Sequence, residues 1–514
     1  MRLKKSLVLP YLFLFCATGI FLSAGCDQPD KRGEQARNDG KSLSLKYCQS
    51  CHEYPDARFL DKETWAKHVL PAMAPRLGIQ VYAEDQYVNN PSAKTMLSYD
   101  DWLKIVDYYT KAAPKALKAA RQPIKPLKDW GVFSLKKPTG YKPGVATTTM
   151  VAFDAIGHQI YTSDRTNSSV YQWSNNLAQL SVHKYSSPAV DVQFMKDAGN
   201  KEHGLFTFIG SMDAVDVLNG YVKDISINQN GVWQDAEIAN GLPRPVQSLT
   251  ADFDKDGLAD VVVCGFGHNA GGLYLLKQLP GHKFEKRVIS TIPGAEHAII
   301  GDFDHDGWPD IACLFAQADE GIWLFLNDHK GGFKTSNLLR FPPFYGSSSF
   351  QLVDFNNDGK LDILYTSGDN SDYSRILKPY HGVYIFINQG DFKYKKAWFF
   401  PVNGATKAIA ADFNGDGLPD IALIAFFSDL KNNPAEGFTY FEQNGPLHFM
   451  PHNLPIENEG RWICMDVGDY NADGKPDILL GNYSMGFINQ EGVKPQWDSA
   501  TPFVLLTNTG SRHQ

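Results

Sequence analysis

Apolar and polar positions change their period three times along the chain. Behind Arg2, Lys4 and Lys5, residues 7–22 are almost wholly apolar. That run is short for a bilayer span and has the form of an export signal. Residues 27–40 are polar and charged without periodicity, which predicts a flexible tether. Helical spacing follows. Leu43, Leu45 and Tyr47 lie on a short helix beginning near Gly40. Asp61 can cap a helix through Trp65 and Leu70. Ser98 can cap another, with Trp102, Ile105, Val106 and Tyr109 on one face and Pro114 at its end. From about residue 131 the period shortens to apolar runs of strand length between turn residues.

Those strands recur with an acidic nonapeptide. Its positions one, three, five and nine hold Asp252, Asp254, Asp256 and Asp260, then Asp302, Asp304, Asp306 and Asp310. The set continues as Asp354, Asn356, Asp358 and Asp362, then Asp412, Asn414, Asp416 and Asp420, and finally Asp469, Asn471, Asp473 and Asp477. Successive copies start 50, 52, 58 and 57 residues apart, a period of stacked supersecondary units. Oxygen ligands at these positions, with Gly at six for the sharp turn, are calcium chemistry, so about five calcium ions are expected. Position twelve holds Val263, Cys313, Tyr365, Leu423 and Leu480 rather than the bidentate Glu of an EF-hand, and strand-like sequence (DVVVCG, DIACLF) follows. The repeats resemble the FG-GAP or VCBS repeats of integrin-α-like β-propellers. That resemblance and the period imply seven blades over residues 131–512, two of them before Leu242. There, Phe153-Asp154 with Gly157, and Gln193-Phe194 with Asp197 and Gly199, are degenerate echoes without a ligand set. The last repeat lacks its outermost strand, and the segment near Phe133 is expected to supply it and close the ring.

Cys48-Gln49-Ser50-Cys51-His52 is the pattern for covalent attachment of one c-type haem. A zinc site would need a second paired motif, and a thioredoxin-like site a βαβ pattern, neither of which is present. Residues 41–120 resemble a monohaem cytochrome c. The resemblance implies His52 as one axial ligand and a methionine as the other. Met73, in the Pro-bounded loop Leu70-Pro71-Ala72-Met73-Ala74-Pro75, is the first candidate, ahead of Met96 and His68. Residues 22–26, ending in Cys26, resemble a bacterial lipobox with Ser23 where that family has Leu, which implies lipidation of Cys26. Secretion without an anchor is the alternative.

The chain thus divides into a signal (1–25), a tether (26–40), a small all-α haem domain (41–120), a linker (121–130) and an all-β seven-bladed propeller (131–512). A net charge of −8 excludes the basic footprint of a nucleic-acid binder. Cys264, Cys313 and Cys464 sit in apolar runs and read as small buried hydrophobes, without a disulfide framework. No catalytic constellation stands out. The expected function is electron transfer by an exported, membrane-anchored lipoprotein. Its propeller would bind a redox partner or a surface ligand such as a glycan. The alternatives are a propeller-hosted dehydrogenase feeding the haem, and an adhesion module. Three long loops, 368–382, 426–437 and 482–499, carry Tyr373, Arg375, Tyr380, Tyr483, Phe487 and Trp497. They serve either recognition or packing against the neighbouring domain.

Overall fold

The computed structural model describes residues 31–513 apart from 84–85, 91, 93, 143, 197–198, 228–231, 372–374, 487, 489 and 491. The export signal, Cys26, the start of the tether, Tyr373 and Phe487 lie outside the described residues. Among the described residues no helix is long and apolar enough to cross a membrane.

Seven four-stranded antiparallel sheets form a β-propeller. Blades 1 to 6 run over residues 148–184, 189–242, 245–290, 295–340, 347–401 and 407–452. Within each, strands pair in sequence order. The second strand of blades 3 to 7 is wholly buried, as in Asp260–Gly265 and Asp477–Asn482. These apolar runs bury both faces, which is why they lack alternation. Outer strands such as Lys283–Ser290 are largely exposed.

Blade 7 combines Trp462–Gly468, Asp477–Asn482 and Phe503–His513 with Gly131–Lys136 as its outermost strand. Phe133 pairs with Asn508 and Leu135 with Leu506. Phe133 is fully buried against Phe413 and Tyr440 of blade 6. The expected closure is therefore present, and it pairs the edge that Phe503–His513 would otherwise leave open. Side chains on the innermost strands also clamp blade to blade. Gln193 Oε1 accepts from Thr250 N at 3.0 Å, Gln247 Oε1 from Ala298 N at 2.7 Å and Gln351 Oε1 from Ala410 N at 2.7 Å. Asp466 Oδ2 accepts from Phe153 N at 2.7 Å and so joins blade 7 to blade 1.

Residues 31–113 are mainly helical. The helix Lys31–Cys48 starts inside the stretch expected as a tether. Gly40 explains its packing on the helix Tyr99–Ala112: a Cβ there would come within 2.3 Å of the Lys104 carbonyl oxygen and 2.8 Å of Tyr108 Cβ. Gly40→Ala is expected to destabilise this helix pair by about 1–3 kcal/mol. Hydrogen exchange should accelerate in Tyr99–Ala112 while the blades keep their protection; unchanged exchange in that helix would refute the close approach. Both expected caps form, Asp61 accepting from Thr64 N at 2.7 Å and Ser98 from Asp101 N at 3.1 Å. The segment with Met73, expected as a loop, is instead helical (Leu70–Met73) and continues as a 3₁₀ turn. Pro71 lacks the N–H that an α-turn would use, and the preceding Trp65–Val69 widens to a π-turn.

The strands of a blade alternate in direction, so loops joining first to second strands emerge on one face. Loops joining second to third strands, and blade to blade, emerge on the other. The nonapeptides occupy the first face and the helical region packs on the second, over blades 3 to 5. Phe59 meets Phe344, Tyr345 and Tyr380 with ring centroids 5.4–5.9 Å apart. Tyr380 Oη donates to the Phe59 carbonyl at 3.2 Å, and Arg76 reaches Asn269 at 2.5 Å. The segment expected as a linker is tied to blade 6, Leu127 N donating to Pro451 O at 2.9 Å and Asn453 N to Leu127 O at 2.8 Å.

Candidate functional site

The helix Lys31–Cys48 delivers Cys48 at its last turn, and Cys51 N donates back to Cys48 O at 3.4 Å. Both thiols are free; Cys48 is half-buried and Cys51 exposed. Burial pushes the Cys48 thiol up to about 11, against the lowering effect of its hydrogen bond with Tyr109. His52 Nδ1 lies 2.8 Å from the Glu53 carbonyl oxygen, so Nδ1 carries the proton and donates. That fixes the tautomer and leaves Nε2 as the lone-pair nitrogen. Burial pulls the His52 pKa down, keeping the ring neutral as a metal ligand must be. Asp319 and Arg340 of blade 4 also act on this ring, and they pair with each other at 2.6 Å. The motif therefore faces the propeller.

Of the three candidates for the second axial position, Met73 is half-buried and packed on the helical core with Trp65 and Tyr109. Met96 is 57% exposed and His68 is exposed. Two thiols three residues apart, a neutral imidazole with Nδ1 tied, and a half-buried thioether form a donor set that fits a c-type haem.

The five nonapeptides share one geometry. Asp252, Asp302, Asp354, Asp412 and Asp469 accept from the backbone N–H groups of positions five and six, the latter at 2.8–3.0 Å. Position six is Gly at φ +80 to +85°, a conformation costly for other residues. Position nine holds a surprise for a residue read as a ligand. Asp260, Asp310, Asp362, Asp420 and Asp477 are buried, and each staples its loop to the blade. One oxygen accepts from the position-two N–H and the other from the third strand: Gln278, Asn327, Asn388, Gln443 or Asn508, at 2.6–2.9 Å. Each oxygen keeps a second lone pair for a cation, except Asp420 Oδ2, which also takes the Asn414 N–H and the Tyr440 hydroxyl.

Ligand atoms of Asp252, Asp254 and Asp256 lie within 4.8 Å of one another, as do those of Asp302, Asp304 and Asp310. Asp254 Oδ1 is buried without a hydrogen-bond partner among the described residues. These clusters fit a hard cation. In blade 3 the Lys277 ammonium bonds Asp254 and lies 3.1 Å from Asp256 Oδ2, so it already supplies positive charge there. In blade 6 the next-to-last residue of the equivalent strand is Glu442, which brings a further carboxylate to within 3.5 Å of Asn414 Nδ2. Lys277→Met is accordingly expected to raise by one the number of calcium ions bound at limiting free calcium, measured against a competing chelator; unchanged stoichiometry and affinity would refute that role.

The long loops divide between both roles. In 368–382, Tyr380 is buried in the seam with the helical region and stacks on Tyr345 at 4.7 Å. Tyr483 is also buried, and its hydroxyl accepts from Arg165 at 3.1 Å. Loops 426–437 and 482–499 instead border a cavity of about 410 Å³ lined by Trp497 and Arg461. Arg461 was not legible in the sequence, because one arginine at a strand start carries no pattern.

An FG-GAP-like repeat matches residues 252–313 and again 302–365, the region of the first three nonapeptides. The chain therefore carries FG-GAP-like repeats in a seven-bladed propeller. A T-cell immunomodulatory protein homolog of Plasmodium yoelii yoelii is 29% identical over 143 residues, 25% of this chain and 20% of that protein. Its counterpart in Plasmodium falciparum is 29% identical over 142 residues, 25% of this chain and 19% of that protein. The chain thus spans about a fifth of the length of these curated relatives. Among solved structures, virginiamycin B lyase from Staphylococcus aureus has 11% identity and a TM-score of 0.42, covering 73% of this chain and 99% of that one. The periplasmic gluconolactonase of Pseudomonas aeruginosa has 11% identity and a TM-score of 0.41, covering 68% and 99%.

Proposed function

We propose that this chain is an exported, membrane-anchored electron carrier: a c-type haem domain fixed on a calcium-braced propeller that binds its partner. The observation that carries the reading is the placement of Cys48, Cys51 and His52. They lie together at a helix end, with Nδ1 of His52 tied to a carbonyl and the motif turned toward blade 4. A haem held there supplies reversible one-electron chemistry between ferrous and ferric iron.

The chain's own residues do the rest. Cys48 and Cys51 would hold the haem covalently through two thioethers. His52 offers Nε2, and the Glu53 carbonyl holds the ring in one orientation. Met73 would offer a thioether ligand, which raises the reduction potential. Asp319 and Arg340 set the local field from the propeller side. The aromatic seam of Phe59, Trp65, Phe344 and Tyr380 excludes water from one wall of the domain. Anchoring through a lipidated Cys26 would hold this assembly at a membrane surface.

The test is a visible spectrum. Full-length protein made with haem-attachment machinery should carry a dithionite-reducible haem that survives denaturation, and a colourless product with both thiols free would end the proposal. Haem reduction by an added substrate without a partner protein would favour the dehydrogenase alternative. The platform role is supported separately, by the cavity that loops 426–437 and 482–499 leave accessible over blades 6 and 7.

A further inference from the structure

We infer that the cavity between blades 6 and 7 binds an anionic sugar, a hexuronate, with Arg461 as its carboxylate receptor. Arg461 is only 5% exposed. Its Nε donates to the Phe426 carbonyl at 3.1 Å, and its guanidinium lies 3.7 Å over the Phe426 ring. Among the described residues no carboxylate pairs with it. The buried acid of the neighbouring loop, Glu436, is taken by the Asp429 N–H and by the amides of Asn403 and Asn433. A guanidinium stripped of water and left without a carboxylate is expensive to bury. Here burial pulls its pKa down to about 10. Such a cation on a cavity wall is matched by a ligand carboxylate, which it can grip through two parallel N–H bonds.

The rest of the wall narrows the class. The volume, about 410 Å³, falls in the small-ligand range. Trp497 is half-buried on the wall and its indole N–H is committed to Ser484 Oγ at 2.9 Å, which holds the ring in place. Its face suits the C–H face of a pyranose. Lys431 and Lys494 add positive charge at the rim, Glu457 is the one acid lining the cavity among the described residues, and Asn458 offers a partner for hydroxyls. Carboxylate, ring and hydroxyls together describe a uronic acid better than a simple anion or a neutral sugar.

The inference rests on the platform reading of the propeller and is independent of the haem, so a blank titration leaves the visible spectrum untouched and the two failures are told apart. The experiment titrates the full chain with sodium D-glucuronate, D-glucose and acetate, read by calorimetry and tryptophan fluorescence. Glucuronate should bind saturably and about tenfold or more tighter than either control. Arg461→Met should weaken it by about ten- to a hundredfold, the loss of a charged hydrogen-bond pair. Trp497→Ala and Lys494→Ala, at less buried positions, should each weaken it several-fold, and they carry the test if Arg461→Met does not fold. No saturable glucuronate binding overturns the inference. So does glucose or acetate binding equally well, or both wall variants binding like the parent.

Discussion

Removing calcium with EDTA should lower the melting temperature of the full chain by about 15 °C. Each loop saturated at ~100 times its Kd contributes about 2.7 kcal/mol. For a ring of about 380 residues the unfolding entropy is near 0.8 kcal/mol per degree. The physical cause is in the buried position-nine carboxyls. Burial raises the pKa of Asp260, Asp310 and Asp362, and carboxylates at positions one, three and five of the same loops add to it. Asp420 is pushed up to about 7 and Asp477 to about 6, again first by burial. The sign follows. A carboxyl whose folded pKa lies above its unfolded value near 3.8 binds its proton more tightly in the fold. Its stabilising effect is therefore present at low pH and lost as pH rises through the folded pKa. Calcium-free protein should lose stability between about pH 4 and 7, and calcium should flatten that slope because a divalent ion favours the ionised form. Scanning calorimetry at pH 5 and pH 7, with and without EDTA, checks both parts. Superimposed melts would show that the loops stand without a cation.

Position nine also shows where sequence reasoning stopped. Asp and Gly at fixed spacing identified the loops, and the common flanking strands identified the blades. Five copies sufficed to count seven blades, since the stretch before blade 3 has room for two more units: blade 2 keeps the length of the repeat and blade 1 is shorter, and both lose its ligands. In blade 1, Asp154 still bonds the backbone N–H of Ile156 and Gly157 at 2.9 Å, so a turn function outlives the metal set. Ring closure was legible because Phe133 repeats the hydrophobic signature of an outer strand. What a single position does in three dimensions was not legible. Asp at position nine reads as a ligand, yet its buried oxygens also staple two strands. Lys277 enters the blade 3 loop from a strand some twenty residues away, a contact set by sheet register. The helical region shows the same limit. Gly40 reads as a helix start, whereas it marks where two helices cross within contact distance of their backbones. The polar composition of residues 31–40 predicts a tether because polar helices carry no apolar stripe. Residues 31–48 are nevertheless one helix. The seam of Phe59 with Phe344 and Tyr380 joins residues 285 and 321 positions apart, which no local pattern announces.

Replacing Cys48 and Cys51 together by serine should abolish covalent haem and leave the propeller intact. The two thiols lie at and beyond the end of one helix, with Cys51 exposed, so the change removes no core contact of the ring. The variant should melt in its propeller transition within about 2 °C of the parent, as surface substitutions usually do. It should yield a colourless polypeptide after denaturation. Methionine variants then separate the axial candidates. Met73→Leu keeps volume and apolar character at a half-buried site. Haem should remain attached, the sulfur–iron absorption should vanish and the reduction potential should fall, since a thioether ligand raises it. Met96→Leu, at a position 57% exposed, should change none of these. If Met96→Leu removes the sulfur–iron band and Met73→Leu does not, the helical segment 70–77 has been misassigned as the ligand-bearing wall. If neither variant does, the sixth position belongs to another residue, and His68→Ala tests the remaining candidate directly. If the serine pair leaves bound colour unchanged, the motif is not the attachment site, and the haem domain, though not the propeller, falls with it.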